Sequence, residues 1–130
     1  MIEDAVAELV RRCETFAYGG SRLYLNFRVG VTEALANAVR YGNRSDPEKE
    51  VRVEVMLDDS HVALKVIDQG DGFDPDGLPD PTLPANLERS GGRGVFLMRE
   101  LMDEVEFIVP GNAVRLVLRR DPPLPRASGE

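Results

Sequence analysis

Residues 33–43 read "EALANAVRYGN", and the fold turns on what this stretch is. Ala34, Leu35, Ala36, Ala38 and Val39 suit a helix packed into a core. Glu33 and Asn37 interrupt them four residues apart, so a carboxylate and an amide share one helical face. Such a pair is ordinarily solvated, and a buried helix has little reason to carry it. Whether it faces water or a cleft depends on the segments around it.

Upstream, "IEDAVAELVRRCETFAY" (2–18) repeats apolar residues at Ile2, Val6, Leu9, Val10, Cys13 and Phe16, which is helical spacing. Gly19 and Gly20 stop that helix. Ser21 is then placed to cap a second one running to about residue 41, with Gly42 in the terminating position. Downstream, "NRSDPEKE" is a polar turn. Two strands follow around the turn "DDSH": Val51, Val53, Val55 and Leu57 alternate with Arg52, Glu54 and Met56, and Val62, Leu64 and Val66 alternate with Ala63, Lys65 and Ile67.

Beyond residue 68 the periodicity lapses. "DQGDGFDPDGLPDPTLPANLERSGGRG" holds four prolines and six glycines, and a stretch of this length within a domain is a functional lid or a disordered segment. "VFLMRELMD" then reads as a short helix, and "EVEFIVP–GN–AVRLVLRR" as a closing hairpin on a Gly-Asn turn. The order helix, helix, strand, strand, loop, helix, strand, strand predicts an α+β two-layer sandwich. Its sheet is antiparallel, helices cover one face, and the clean alternation in the strands turns the other face to water.

Bulk properties narrow the function. The chain's 130 residues make one domain over 1–120, with "DPPLPRASGE" (121–130) as a disordered tail. The formal charge is −7 and no Lys/Arg run exceeds two residues, which argues against nucleic acid. An acidic surface can instead dock a basic protein. Cys13 is the only cysteine, so no intrachain disulfide forms and a reducing compartment is the default. His61 is the only histidine, which removes Ser-His-Asp and Cys-His catalysis and disfavours zinc. No apolar stretch approaches the roughly 18 residues of a membrane span. The expected location is the cytoplasm. Cys13, Met98 and Met102 read as core packing and His61 as an exposed residue beside a turn.

Three segments resemble neither core nor surface filler: the Glu33/Asn37 pair, "DQGDGF" (68–73) at the end of an apolar strand, and "SGGRG" (90–94) opening a helix. Asp68 at a strand end can accept from an amine, and the glycines after it let backbone approach a flat ligand. A glycine-rich helix start offers free N–H groups and the positive end of the dipole to an anion. Each alone occurs in ordinary turns.

In this order, however, the segments resemble the GHKL superfamily of ATP-binding domains, with its Bergerat fold. "NAVRYGN", "DQGDGFDP" and "LERSGGRGVFLMRELMDEVEF" are similar to the anti-sigma-factor serine/threonine kinases, histidine-kinase-like ATPase domains that stand alone. The likeness runs from about Ser21 to Arg119. It implies that the polar pair faces a nucleotide cleft, with ATP and Mg²⁺ as cofactors. Asn37 would ligate Mg²⁺ and Glu33 would act as general base or orient a water. Asp68 would accept the adenine amine, Gly70 and Gly72 would leave room for the nucleoside, and Phe73 would close that motif. Gly92 and Gly94 would present N–H groups to the phosphates, with Arg93 beside them. Residues 74–91 would form a lid, on which Arg89 would touch partner or phosphate. The implied partners are a sigma factor and a STAS-type anti-sigma-factor antagonist. Relatives often carry His where Tyr41 stands, and a strand before the first helix that serves dimer contacts. Here Met1 leads almost straight into the helix, which leaves homodimerisation open. A non-enzymatic ATP-binding module, an excised histidine-kinase domain and a phosphate-binding scaffold remain rival readings.

Overall fold

A computed structural model describes residues 2–70, 92–108 and 112–120. The chain runs α1 (Ile2–Thr15), α2 (Arg28–Asn37) flanked by π-helical segments Arg22–Phe27 and Ala38–Gly42, β1 (Arg52–Leu57), β2 (His61–Ile67), α3 (Gly92–Leu101), β3 (Glu104–Ile108) and β4 (Ala113–Arg119). The strands form one antiparallel sheet in the order β1-β2-β4-β3. The predicted α+β sandwich is the observed one.

The alternation sets the register. Val53 pairs with Val66, Val55 with Leu64 and Leu57 with Val62, and across the hairpin Val105 pairs with Leu116 and Phe107 with Val114. These side chains lie on one face, because a strand's residues alternate sides with period two. They meet Val6, Leu9, Val10, Leu23, Phe27, Val31, Leu35 and Met98 from the helices in a continuous core. On the other face Met56 is exposed, whereas the short side chains of Ala63 and Val117 are buried.

Cys13 and Met98 lie in the core, 1 % and 0 % exposed, and Met102 joins them. Met102 reaches α2 at Gly30, where a Cβ would stand 2.8 Å from its Sδ. His61 is only half-exposed, since its ring Nδ1 lies 2.9 Å from the Ser60 hydroxyl at the β1–β2 turn. In that turn Asp58 takes N–H bonds from Ser60 and His61, which hold its carboxyl down at about 2.

Three local readings need correction. The first helix ends at Thr15, before the glycines: Tyr18 N–H bonds to Cys13 O and Ala17 N–H to Glu14 O, the paired bonds of a Schellman motif. Phe16 therefore leaves the apolar stripe and is 41 % exposed, while Tyr18 is buried. Ser21 does not cap the second helix. Its backbone is already helical, at φ −66° and ψ −26°, and its side chain makes no capping bond. Gly42 does not terminate by a left-handed turn; it is the last residue of the second π segment, and Arg44 and Ser45 take the positive φ angles instead.

Ala17 occupies the left-handed position that a Schellman motif reserves for glycine, with φ 64°. Arg120 holds it there by donating to the carbonyls of Phe16 and Ala17 while its guanidinium stacks 3.9 Å from the Tyr18 ring. Ala pays a steric cost at this angle that Gly does not. Ala17→Gly should accordingly stabilise the fold by about 0.5–1 kcal/mol, after the extra chain entropy of glycine is subtracted. Urea unfolding measures it, and a lowered midpoint would show that the turn is not strained.

Candidate functional site

α2 and α3 lie against each other, and their contact places the polar pair. Glu33 and Asn37 are half-buried on the face of α2 that meets the start of α3. A Cβ on Gly94 would stand 3.0 Å from Glu33 Oε1 and 3.3 Å from Asn37 Oδ1. Glycine here lets both side chains close over the amino end of α3. The first N–H groups of that helix have no intrahelical acceptor, and the dipole makes the spot attractive to anions. Among the described residues, neither polar side chain spends its oxygens on an internal hydrogen bond.

From this end a pocket runs between the helices and the sheet. Asn37, Ala34 and Ala38 line it from the helix side, Val66 from β2, and Asp68 from just beyond that strand's end. Met98, Phe107 and Asn112 close it, around a narrow crevice of about 20 Å³. Among the described residues the lining is apolar except for Asn37, Asp68 and Asn112, the composition of a small-molecule site with a few orienting polar groups.

Asp68 is the charged residue of this pocket among the described ones, and it is 8 % exposed. Burial pushes its carboxyl above the ordinary aspartate range, against the pull of the Gly70 N–H and of Lys49. Among the described residues its carboxylate takes one hydrogen bond, from Gly70 N–H to Oδ1 at 2.7 Å, and forms no ion pair. Its own peptide is pinned from the β3–β4 turn: Asp68 N–H donates to Asn112 O at 2.8 Å, and Asn112 Nδ2 donates to Asp68 O at 3.3 Å. The carboxylate lies against the backbone of Gly42, where a Cβ would stand 2.2 Å from Oδ2. A Cβ on Gly70 would meet the Gly42 carbonyl at 2.1 Å. Helix end and strand end thus touch through two glycines.

The structure therefore brings Glu33, Asn37 and Gly94 together at one end and Asp68 and Gly70 at the other. Gly92 is the first residue of α3, and Arg93 is exposed beside it. Gly72, Phe73, Arg89 and the expected lid over 74–91 lie outside the described residues, as does the tail 121–130. Gly42, Asn43 and Asn112 were not singled out from sequence as site residues. "YGN" reads locally as a helix stop, and only the contact with Asp68 reveals the second requirement on its glycine.

An antiparallel sheet under helices, with an acid-amide helix facing a glycine-rich helix start and a buried aspartate at a strand end, defines a nucleotide-binding α+β domain. The histidine kinase-like ATPase domain model matches residues 2–118, and the chain belongs to that family. It is 30% identical over 87 residues to a serine-protein kinase RsbW of Oceanobacillus iheyensis, covering 62% of this chain and 55% of that protein. It is 41% identical over 81 residues to an anti-sigma F factor of Bacillus cytotoxicus, covering 60% and 55%. The RsbW of Bacillus subtilis is 33% identical over 86 residues, covering 62% of this chain and 54% of that protein. The chain thus spans about half the length of the curated relatives it matches. The mycobacterial sensor histidine kinase MprB superposes with a TM-score of 0.53 at 20% identity, covering 91% of each chain, which supports the fold. No helix among the described residues is long and apolar enough to cross a membrane.

Proposed function

We propose that this domain binds ATP with Mg²⁺ in the pocket between α2, α3 and the sheet. It then transfers the γ-phosphoryl group to a serine of a small antagonist protein, acting as a cytoplasmic anti-sigma switch. One observation carries the reading. Among the described residues, Glu33 and Asn37 make no internal hydrogen bond and meet the glycine-bearing start of α3, and Asn37 also lines an apolar pocket whose other end is the buried Asp68 carboxylate, which forms no ion pair. Phosphates suit the first end and a base bearing an exocyclic amine suits the second. The names of the relatives, serine-protein kinase RsbW and anti-sigma F factor, support the choice of serine as acceptor and a sigma factor as partner.

In this reading Asp68 accepts the adenine amine, while Gly42 and Gly70 keep its carboxylate within reach. Asn37 offers a hard amide oxygen, the donor type Mg²⁺ takes, and bound Mg²⁺ neutralises phosphate charge. The α3 N–H groups orient the phosphate chain. Glu33, one helical turn from Asn37, accepts the proton of the incoming serine hydroxyl. The serine oxygen bonds to the γ-phosphorus as the bond to the β-bridging oxygen breaks, and ADP leaves. Gly72, Phe73, Arg89, Gly92 and Arg93 complete the proposed nucleotide contacts.

Asp68 provides the test. For an acid, a raised folded-state pKa means that the folded chain holds the proton more tightly than the unfolded chain. The ionised carboxylate is then a cost above that pKa, and the cost vanishes as pH falls through it. Asp68→Asn removes the charge and keeps an acceptor for Gly70. The variant should unfold at the same temperature or a higher one, yet bind ATP more weakly by roughly 1–3 kcal/mol. GTP should bind the parent protein far worse than ATP, since its O6 acceptor would face the Asp68 acceptor. Calorimetric titration measures both, and equal affinity for ATP and GTP would remove the adenine reading.

A further inference from the structure

Asn43 is more deeply buried than Asp68, at 2 % exposure, and these are the two buried polar residues among the described ones. It follows the π segment that closes the second helix, its N–H bonding five residues back to Ala38 O at 2.8 Å. Both ends of its side-chain amide are used. Nδ2 donates to Glu50 O at 3.0 Å, and Oδ1 accepts the Gln69 N–H at 2.7 Å. The Gln69 side chain completes a ring, its Oε1 accepting the Glu50 N–H at 2.9 Å. Glu50 precedes β1 and Gln69 follows β2, so this ring lies outside the sheet ladder and is not required to pair the strands. A buried amide with every group satisfied fixes one local geometry, because any shift strands a polar group in the core.

The geometry it fixes is that of Asp68. Gln69 stands between Asp68 and Gly70, whose N–H donates to the Asp68 carboxylate. Asn43 holds the peptide that follows Asp68 from the helix side, and Asn112 holds Asp68's own peptide from the β3–β4 side. Asn43 itself does not line the pocket that Asp68 faces; it borders a separate groove with Ser45, Asp46 and Lys49.

We propose that Asn43 is a positioning residue: through the Gln69 peptide it sets the Asp68 carboxylate at the place where an adenine is told from a guanine. The inference rests on the reading of Asp68 as the adenine acceptor. The Oδ1 arm does the positioning, whereas the Nδ2 arm secures the 44–50 loop.

Nucleotide titrations with ATP and GTP on three variants test this. Asn43→Ala removes both arms. It should weaken ATP binding about tenfold and lower the ATP-to-GTP preference by a similar factor. Asn43→Asp keeps an acceptor for Gln69 and loses the donor to Glu50. Its unfolding midpoint should fall, yet it should keep the preference within about twofold of the parent. A merely structural role would make preference follow stability in both variants, so a loss in Asn43→Asp as large as that in Asn43→Ala overturns the proposal. A parental preference in Asn43→Ala also overturns it. Should Asn43→Ala not fold, Asn43→Ser, too short to span to Gln69, takes its place with the same expected values. Asp68→Asn runs in parallel. If it keeps the preference, the adenine reading fails and this proposal with it; if it loses the preference while Asn43→Ala does not, only the role of Asn43 is rejected.

Discussion

Glu33→Gln should bind ATP within about threefold of the parent protein and transfer phosphoryl groups roughly 10²–10⁴-fold more slowly, the usual size of a general-base contribution. The substitution is isosteric, and the Glu33 carboxylate forms no internal hydrogen bond among the described residues, so packing against α3 is retained. What disappears is the group able to take the hydroxyl proton. Asn37→Ala should behave differently. Removing the amide oxygen beside the α3 start removes a proposed metal ligand, so Mg²⁺-dependent ATP affinity and turnover should fall together. Labelled ATP and a candidate antagonist bearing the acceptor serine provide the assay. An unchanged rate in Glu33→Gln would falsify the catalytic role and leave a nucleotide-binding switch, in which the same pocket regulates a partner without chemistry.

The layered fold was legible because its signals are periodic. Val53, Val55 and Leu57 find Val66, Leu64 and Val62 across the ladder, as two-residue alternation requires. Val6, Leu9, Val10 and Cys13 bury together because they recur at helical spacing. Glu33 and Asn37 could be paired from sequence for the same reason. The misreadings occurred where helix phase or a distant contact decides. A π segment inserts a residue into a turn without a local sequence signature, and two of them flank α2. Ala17 terminates α1 although two glycines follow it, because Arg120, from beyond the last strand, holds its carbonyl. Asn43 and Asn112 act on partners 26 and 44 residues away, beyond the reach of any short motif.

Gly42→Ala should show how much of the site depends on one such contact. Gly42 has helical backbone within the last π segment, where alanine is ordinarily the better residue by about 1 kcal/mol. On propensity alone the substitution would stabilise the protein. The new Cβ, however, would stand 2.2 Å from Asp68 Oδ2 and 2.3 Å from its Cγ, distances at which one group must leave. The helix backbone is held by the Asn43 N–H bond to Ala38 and by the buried Asn43 side chain, so the carboxylate is what gives way. Moving it sacrifices its bond from Gly70 N–H and takes the acceptor from the adenine position. ATP affinity should fall about 5–150-fold, the 1–3 kcal/mol range for losing a charge-assisted hydrogen bond, and the unfolding midpoint should drop rather than rise. A double-mutant cycle separates the clash from any effect on the helix. In an Asp68→Ala background the alanine at 42 meets no carboxylate, and there Gly42→Ala should be neutral or stabilising. If Gly42→Ala alone keeps parental ATP affinity, the carboxylate that rests on Gly42 is not the one that reads the nucleotide.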